Sequence, residues 1–307
     1  MAVVAAHEHQ PSQQHGHVHL DEADWREWAD QTEHEGQLLL AFVTDAIRWA
    51  TELRGPDTPP VRRVIDIGSG PGVGTCELAR LFPDAHVIAV DASPAMLDRV
   101  RKRAAVHGLD ERVSARLAEL PGGLDGVEPA EMIWASMALH HVGDEIAALG
   151  VLRDLLEPSG LLVIAEFPAL AETMRVLPDE LDVGRPGLTE RLESARAKWF
   201  AAMRHGLGSD GSSADLSAML SSAGFEMVGS RLAHRRLDPP LPEDARRVVL
   251  GHLRQTRKHL DDYLDDEDLR TLDVLTDAED PRSVVHRSDV YVASSRQIVI
   301  ARPMTHR

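Results

Sequence analysis

Short apolar runs alternate with amphipathic stretches between residues 61 and 167. Five of the apolar runs predict strands, in the chain order VRRVIDIG, HVIAVD, RVSARLAEL, EMIWAS and LLVIAEF. Helical spacing of apolar positions predicts helices between most of them. Strands that alternate with helices in this way form parallel sheets with helices on both faces. The pattern therefore predicts a doubly wound α/β fold.

The ends of the predicted helices carry matching signals. The first helix is expected over 74–82, after the first strand. The next helix is expected to have Ser93 as its N-cap and Pro94 as its first residue, and to stop at Gly108. A further helix is expected from about 144 to 156, before the breaker Pro158-Ser159-Gly160. These local signals agree with the strand pattern, which supports the fold.

The flanks add helices and closing strands. Helical spacing covers 21–53, where Gly36 is expected to divide two helices, and GPDTPP at 55–60 ends the segment. Further helices are expected over 190–205, in SSADLSAMLSSAGF and in PEDARRVVLGHLRQTRKHLDDYL, and FEMVGSRLA and VYVASSRQIVIARP supply closing strands. The prediction is a mostly parallel seven-stranded sheet with N-terminal helices and a helical cap or insert. The predicted divisions are a disordered His-rich tail (1–20), an N-terminal helical lid (21–60), an α/β core (61–167), a substrate cap (168–215) and the end of the core (216–307) with a helical insert (238–289).

Charge and cysteine content narrow the function classes. The chain has 33 Lys and Arg against 50 Asp and Glu, a net charge of −17. Such a surface repels phosphate backbones and anionic membranes, so neither nucleic acid nor membrane is an expected partner. The single cysteine, Cys76, permits no intrachain disulfide and is predicted to be a small buried residue. No apolar run approaches the roughly 20 residues of a membrane span, and the N-terminus lacks a signal-peptide pattern, so a cytoplasmic location is expected.

A glycine-rich loop follows the first predicted strand, in VIDIGSGPGVG at 64–74. Glycine lets a ligand approach the backbone, and the following helix start offers free N–H donors. Asp91 ends the next strand, where doubly wound folds place an acid that binds ribose hydroxyls, although a loop or capping carboxylate is the alternative. The dinucleotide fingerprint would require glycine at position 73, which is Val73. Asp66 offers an acceptor for an ammonium, so an aminoacyl nucleoside is favoured over a dinucleotide.

Residues 64 to 167 resemble the class I S-adenosylmethionine-dependent methyltransferases, in their small-molecule branch. VIDIGSGPG is similar to that family's first motif and VDASPAML to its acidic second motif. LEPSGLLVIAEF resembles a further family segment, with Ser159 where glycine is usual. The resemblance implies a Rossmann-like methyltransferase fold whose core, 61–167, binds S-adenosylmethionine.

The resemblance also assigns cofactor contacts to individual positions. It implies that the methionine part meets Asp66, Gly68, Ser69 and Gly70, that the ribose meets Asp91, that the adenine region meets Ala92, Met96, Ala118 and Glu119, and that Ala135 and Ser136 lie near the sulfonium. Glu119 stands where the family often has aspartate, which is a departure.

Candidate catalytic residues follow the fourth and fifth strands. His140 and His141 lie just past EMIWAS, where open sheets form their ligand crevice, and either could accept a proton from a substrate. The alternative is that this Leu-His-His element is only local structure. Glu166, at the end of the fifth strand, is a candidate substrate-facing carboxylate or a cap. No metal site is predicted, because no carboxylate lies at suitable spacing.

Two features outside the core stay open. Trp25 and Trp28 share a helical face with Gln31 and Glu35, and could cover the cofactor or pack on the core. The histidines of the tail could bind metal, but a disordered polar tail is the favoured explanation: His7, His9, His15, His17 and His19.

The predicted function is transfer of a methyl group from S-adenosylmethionine to an O, N or C nucleophile of a small molecule, such as a secondary metabolite, by in-line displacement. A nicotinamide-dependent oxidoreductase and a non-catalytic S-adenosylmethionine-binding protein are the alternatives. An RNA or protein methyltransferase is disfavoured by the acidic charge and by the lack of an N-P-P-Y element after the fourth strand. A homodimer is left open.

Overall fold

A computed structural model describes residues 22–168, 174–207 and 215–304. The predicted tail lies outside these residues, as do parts of the predicted cap. Within them, seven strands form one sheet in the order β3-β2-β1-β4-β5-β7-β6. The strands are β1 (Arg63–Ile67), β2 (His86–Asp91), β3 (Val113–Leu117), β4 (Ala130–Ser136), β5 (Leu156–Glu166), β6 (Phe225–Leu237) and β7 (Val292–Pro303). The first five are parallel, and β7 pairs antiparallel with both β5 and β6.

Helices cover both faces of the sheet and one of its ends. They are α1 (Glu22–Leu38), α2 (Ala41–Arg54), α3 (Val73–Leu81), α4 (Pro94–Val106), α5 (Glu145–Asp154), α6 (Leu188–Gly206), α7 (Leu216–Ser222), α8 (Glu243–His259) and α9 (Asp266–Thr276). The predicted doubly wound, mostly parallel seven-stranded α/β fold is confirmed. The predicted N-cap is also confirmed, because the Ser93 hydroxyl accepts from the backbone N–H of Met96 at 3.3 Å.

The predicted division of the N-terminal helices at Gly36 is wrong. Gly36 lies inside α1, and the break falls at Leu39 and Leu40. A Cβ atom at Gly36 would lie 3.3 Å from the Cβ of Val73, the first residue of α3. The glycine therefore lets two helices approach closely and does not interrupt the helix.

The predicted boundary between the fifth helix and the fifth strand is also wrong. The helix ends at Asp154, and β5 begins at Leu156, before the expected breaker. Leu156 pairs with Ala130, and the register shifts before Leu161 pairs with Met132. This irregularity accommodates Pro158-Ser159-Gly160 within the strand, which a breaker rule cannot anticipate.

Two large apolar clusters lie on the faces of the sheet, and a third joins the cap and the insert. The third cluster includes Leu192 of α6, Val249 of α8 and Leu272 of α9, all at most 7% exposed. These helices therefore pack together at the end of the sheet where β7 begins. Cys76 is 1% exposed, which confirms that it is a small buried residue.

None of the helices in the described ranges has the length and apolar character needed to cross a membrane.

Candidate active site

The loop between β1 and α3 carries glycines because its backbone leaves no room for side chains. Gly68 has a φ of +65°, and a Cβ atom there would lie 2.4 Å from the Cβ of Ala138. Gly72 has a φ of +82°, and its Cβ would lie 3.0 Å from the Cα of Val100. Both values fall in the left-handed region that side chains disfavour. The bare loop thus lies between the segment after β4 and helix α4, at the edge where open sheets bind ligands.

Asp91 connects the end of β2 to this loop. One carboxylate oxygen accepts from the backbone N–H of Gly70 at 2.8 Å, and the other accepts from that of Ser93 at 2.8 Å. Asp91 therefore fixes both the glycine loop and the start of α4.

Asp66 is a buried carboxylate beside the same loop. Its side chain accepts from the Thr75 hydroxyl at 2.6 Å, and the residue is 3% exposed. Burial raises the pKa of Asp66 to about 7; the Thr75 hydrogen bond opposes this shift, and the charge of Asp91 adds to it. The buried Ser69 hydroxyl has no hydrogen-bond partner among the residues described. Within the described part of the chain, the Asp66 carboxylate thus has no cationic partner and the Ser69 hydroxyl has no hydrogen-bond partner.

The other predicted cofactor residues differ in accessibility. Three have exposed or partly exposed side chains: Ala92, Glu119 and Ser136. Three are buried: Met96, Ala118 and Ala135. Ala118 is placed beside the cleft by its N–H, which donates to the carbonyl of Asp91 at 3.1 Å. Met96 and Ala135 are 1% and 0% exposed, so their side chains present almost no surface to a ligand in this structure. All six assignments stay predictions.

Glu166 holds the turn that follows β4. One of its oxygens accepts from the N–H groups of Ala138 and Leu139 at 2.9 and 3.0 Å, and the other lies 2.7 Å from Nδ1 of His140. Burial acts to raise the pKa of Glu166, but His140 and the two backbone donors outweigh it and lower the pKa. Glu166 is therefore ionised, and its hydrogen bonds orient the His140 ring.

The two adjacent histidines lie in different surroundings, although their ring centroids are 4.1 Å apart. His140 is partly buried and contacts the rings of Phe167 and Phe200, with centroids at 5.4 and 5.6 Å. His141 is exposed. Nε2 of His140 makes no hydrogen bond with any described residue. His140 is thus the histidine that packs against the aromatic rings of Phe167 and Phe200.

An ion pair that the sequence did not reveal supports this turn. Arg204 of α6 is 5% exposed, donates to the carbonyls of His140 and Val142 at 2.7 and 3.3 Å, and pairs with the buried Glu145. Nearby Met137 has a φ of +54°, a left-handed conformation that is costly for a residue other than glycine. Only the fold brings Arg204 to this turn, and no sequence signal marked the pair.

Helix α1 contacts the predicted insert. Gln31 is 5% exposed and donates to the carbonyl of Val248 at 2.9 Å and to Glu35 at 2.8 Å. Glu35 lies 3.7 Å from Nδ1 of His252, on α8. These contacts join α1 to α8 above the end of the sheet.

Helix α1 also packs on α4. Trp25 and Trp28 form an edge-to-face pair with centroids 6.4 Å apart, and the guanidinium of Arg99 lies 5.9 Å from the Trp25 ring. Glu33 pairs with both Arg99 and Arg103 of α4. The tryptophan face thus packs beside α4, next to the glycine loop.

No group of three or more His, Cys, Asp or Glu side chains suited to holding a metal ion occurs within residues 22–168, 174–207 and 215–304.

The fold and the cleft together define a doubly wound α/β protein with a nucleotide-type site at the ends of β1 and β2. A family profile described as "Methyltransferase domain" matches residues 39–230. This match covers more than half of the chain, and the chain belongs to that family. The expected class I methyltransferase fold is thereby confirmed.

Individual relatives agree with this assignment. The chain is 34% identical over 165 residues to a trans-aconitate 2-methyltransferase of Methylobacterium radiotolerans, covering 50% of this chain and 60% of that protein. It is 35% identical over 147 residues to a malonyl-[acyl-carrier protein] O-methyltransferase of Halorhodospira halophila, covering 48% and 45%. The matches thus span less than two thirds of either relative. A solved structure from Bacillus halodurans, of a protein proposed to be a methyltransferase, shares the fold at 15% identity and a TM-score of 0.52, covering 86% of this chain and 99% of that one.

Proposed function

We propose that this chain transfers a methyl group from S-adenosylmethionine to a small-molecule acceptor by direct in-line displacement. The observation that carries the proposal is the cleft in which Asp66, the glycine loop and Asp91 meet, in a chain of the methyltransferase-domain family. The named relatives act on trans-aconitate and on a malonyl-carrier conjugate, which favours a metabolite as acceptor. The net charge of −17 disfavours a nucleic acid.

The residues of the cleft fit the cofactor. Asp66 would accept a hydrogen bond from the ammonium group of the cofactor's methionine part. The loop at Gly68, Ser69 and Gly70 would donate hydrogen bonds to the carboxylate of the same methionine part. Asp91, at the end of β2, would bind the ribose hydroxyls. The adenine would lie by Ala92, Met96, Ala118 and Glu119, and the sulfonium by Ala135 and Ser136. The cofactor supplies an electrophilic methyl group, and these residues align it and exclude water.

His140 would assist whenever the acceptor atom carries a proton. Its Nδ1 is held by the ionised Glu166, so Nε2 is the nitrogen that would take a proton from an acceptor hydroxyl or amine. Glu166 would position the ring, since its oxygens are engaged by His140 and by two backbone N–H groups. His141 is exposed, so we assign it no proton-transfer role.

The remaining segments would enclose the acceptor. Segment 21–60 would act as a lid, because α1 contacts both α4 beside the loop and α8 across the cleft. The cap and the insert would form the acceptor side, because α6, α8 and α9 share one apolar cluster. Aromatic side chains of α6 would line it together with Phe167.

Calorimetric titration with S-adenosylmethionine, S-adenosylhomocysteine, NAD and NADP tests the cofactor. We expect binding of the first two only, and the variants Asp91→Ala and Asp91→Asn should weaken it by at least about tenfold, the loss typical of a hydrogen bond to a charged group. Asp110→Ala, which removes an exposed carboxylate at the opposite edge of the sheet, should change nothing.

The same titration separates the alternatives. Binding of a nicotinamide cofactor instead would support the oxidoreductase and overturn our proposal. Unchanged affinity in well-folded Asp91 variants would refute the ribose assignment. Binding without formation of S-adenosylhomocysteine, across a broad acceptor screen, would favour a non-catalytic binding protein.

A further inference from the structure

Arg296 places a guanidinium group near two aromatic rings at the end of the sheet. Its Cζ lies 5.4 Å from the ring centroid of Phe167 and 5.6 Å from that of Phe42. The side chain is partly buried. Both distances are within the range of cation–π attraction, and a guanidinium is itself a planar group that suits bidentate contacts.

The hydrogen bonds of Arg296 use only one of its nitrogens. Nη1 donates to the Ser294 hydroxyl at 2.9 Å and to the Ser295 carbonyl at 2.8 Å. Among the residues described, Arg296 makes no ion pair, and its Nε and Nη2 make no hydrogen bond. A guanidinium has five N–H donors in a fixed fork, so most of its donors are unused.

The two carboxylates whose charges act on Arg296 are already engaged. Glu166 is bound to His140 and to two backbone N–H groups, and Glu35 accepts from Gln31 and lies beside His252. Burial lowers the pKa of Arg296, and the charges of Glu35 and Glu166 offset this only in part. The buried cation is therefore incompletely compensated by the side chains around it.

Arg296 also lies on the acceptor side of the cleft. Its neighbour Gln297 pairs with Glu166, the last residue of β5. The Phe167 ring next to Arg296 also contacts His140, with ring centroids 5.4 Å apart. The same aromatic side chain thus lies beside both the guanidinium and the histidine at the candidate transfer site.

We propose that the methyl acceptor carries a carboxylate and that Arg296 binds it, so that Arg296 determines specificity for acidic small molecules. This inference rests on the proposed function, because it places the acceptor between His140 and Arg296. The unused nitrogens of the planar guanidinium suit the bidentate geometry of a carboxylate. A neutral ligand would leave the cation uncompensated in partly buried surroundings.

The test compares acids with their amides at equilibrium. Ligand-observed NMR titrations of the full chain, with and without S-adenosylhomocysteine, would use malonate and malonamide, succinate and succinamide, benzoate and benzamide, and indole-3-acetate and its amide. We expect at least one acid to bind about 10- to 100-fold more tightly than its amide, the range that charge-assisted hydrogen bonds provide. Arg296→Gln should abolish this preference, and Arg296→Lys should retain part of it.

Several outcomes would overturn the inference. They are equal affinity for each acid and its amide, no binding of any acid, and a preference that survives in Arg296→Gln. Binding of S-adenosylhomocysteine to each variant shows that it has folded, and the wild-type comparison needs no variant. Because these titrations require no turnover, an acid preference without methyl transfer would count against the proposed function alone. Methyl transfer without an acid preference would count against Arg296 alone.

Discussion

Asp66 provides the sharpest test of the proposed cofactor site, because its ionisation is costly in the free protein. Burial raises its pKa from the ordinary 3.8 to about 7. At about 1.4 kcal/mol per pKa unit, this rise in pKa corresponds to a free-energy cost on the order of 4 kcal/mol for keeping the carboxylate charged in the fold. Since the folded pKa lies above the unfolded one, the protonated side chain favours the fold at low pH, and that contribution is lost as the pH rises through about 7. A cofactor ammonium would offset this cost.

The affinity for S-adenosylmethionine should therefore depend on pH in a defined way. Below about pH 7 the free protein holds a proton on Asp66 that binding must release, so the affinity should fall about tenfold per pH unit. Between about pH 7.5 and about pH 5.5 the expected loss is roughly 25-fold. Above about pH 8 the α-amino group of the ligand loses its own proton, and the affinity should fall again.

Calorimetry across this pH range, with Asp66→Asn as the matched variant, measures the effect. At pH 7.5 the variant should bind about 10- to 100-fold more weakly, because it loses a charge-assisted hydrogen bond. The affinity of Asp66→Asn for S-adenosylmethionine should not fall as the pH drops below about 7. Without ligand, the variant should be at least as stable towards unfolding as the wild type at about pH 8. A flat profile below pH 7, or the same slope in Asp66→Asn, would refute the assignment of Asp66 to the ammonium.

Two further predictions concern stability and are measured by urea denaturation. Gly68→Ala should lower the free energy of unfolding by roughly 2–4 kcal/mol, because the new side chain is strained by the left-handed backbone and also overlaps the segment after β4. Gly108 has a φ of +64° but open space around it, so Gly108→Ala should lower the free energy of unfolding by only about 1–2 kcal/mol. Equal losses in the two variants would contradict the close approach at Gly68. Arg204→Met should lower the free energy of unfolding by roughly 3–5 kcal/mol, because it leaves Glu145 buried without its partner. Adding Glu145→Met should restore most of this stability in the double variant. The control Arg101→Met, at an exposed ion pair, should lower the free energy of unfolding by less than about 1 kcal/mol. A double variant no more stable than Arg204→Met would argue against the buried pair.

The core of the fold could be predicted because its signals are local. β2 was predicted with its observed bounds, His86–Asp91, since an apolar run ends there at a carboxylate and is followed by a helix cap. The Ser93 cap likewise depends on neighbours close in sequence. Their chemistry can be inferred from residue type and spacing alone.

The errors arose where distant segments meet. Gly36 resembles a helix break until α3 is known to pack against it, and Pro158-Ser159-Gly160 resembles a loop until Ala130 is known to pair with Leu156. The same reason applies to the site. Arg204 lies 59 residues from Glu145, so no pattern along the chain could pair the two side chains.

The position of β7 has a consequence for how the protein is made. The strand that completes the sheet lies between β5 and β6, yet it is the last of the seven in the chain. While a ribosome synthesises the polypeptide, both neighbours emerge first, and each has an unpaired edge until Val292–Pro303 is available. Exposed edges of this kind can pair with strands of other chains. Until the last strand inserts, the nascent protein therefore exposes strand edges that favour aggregation.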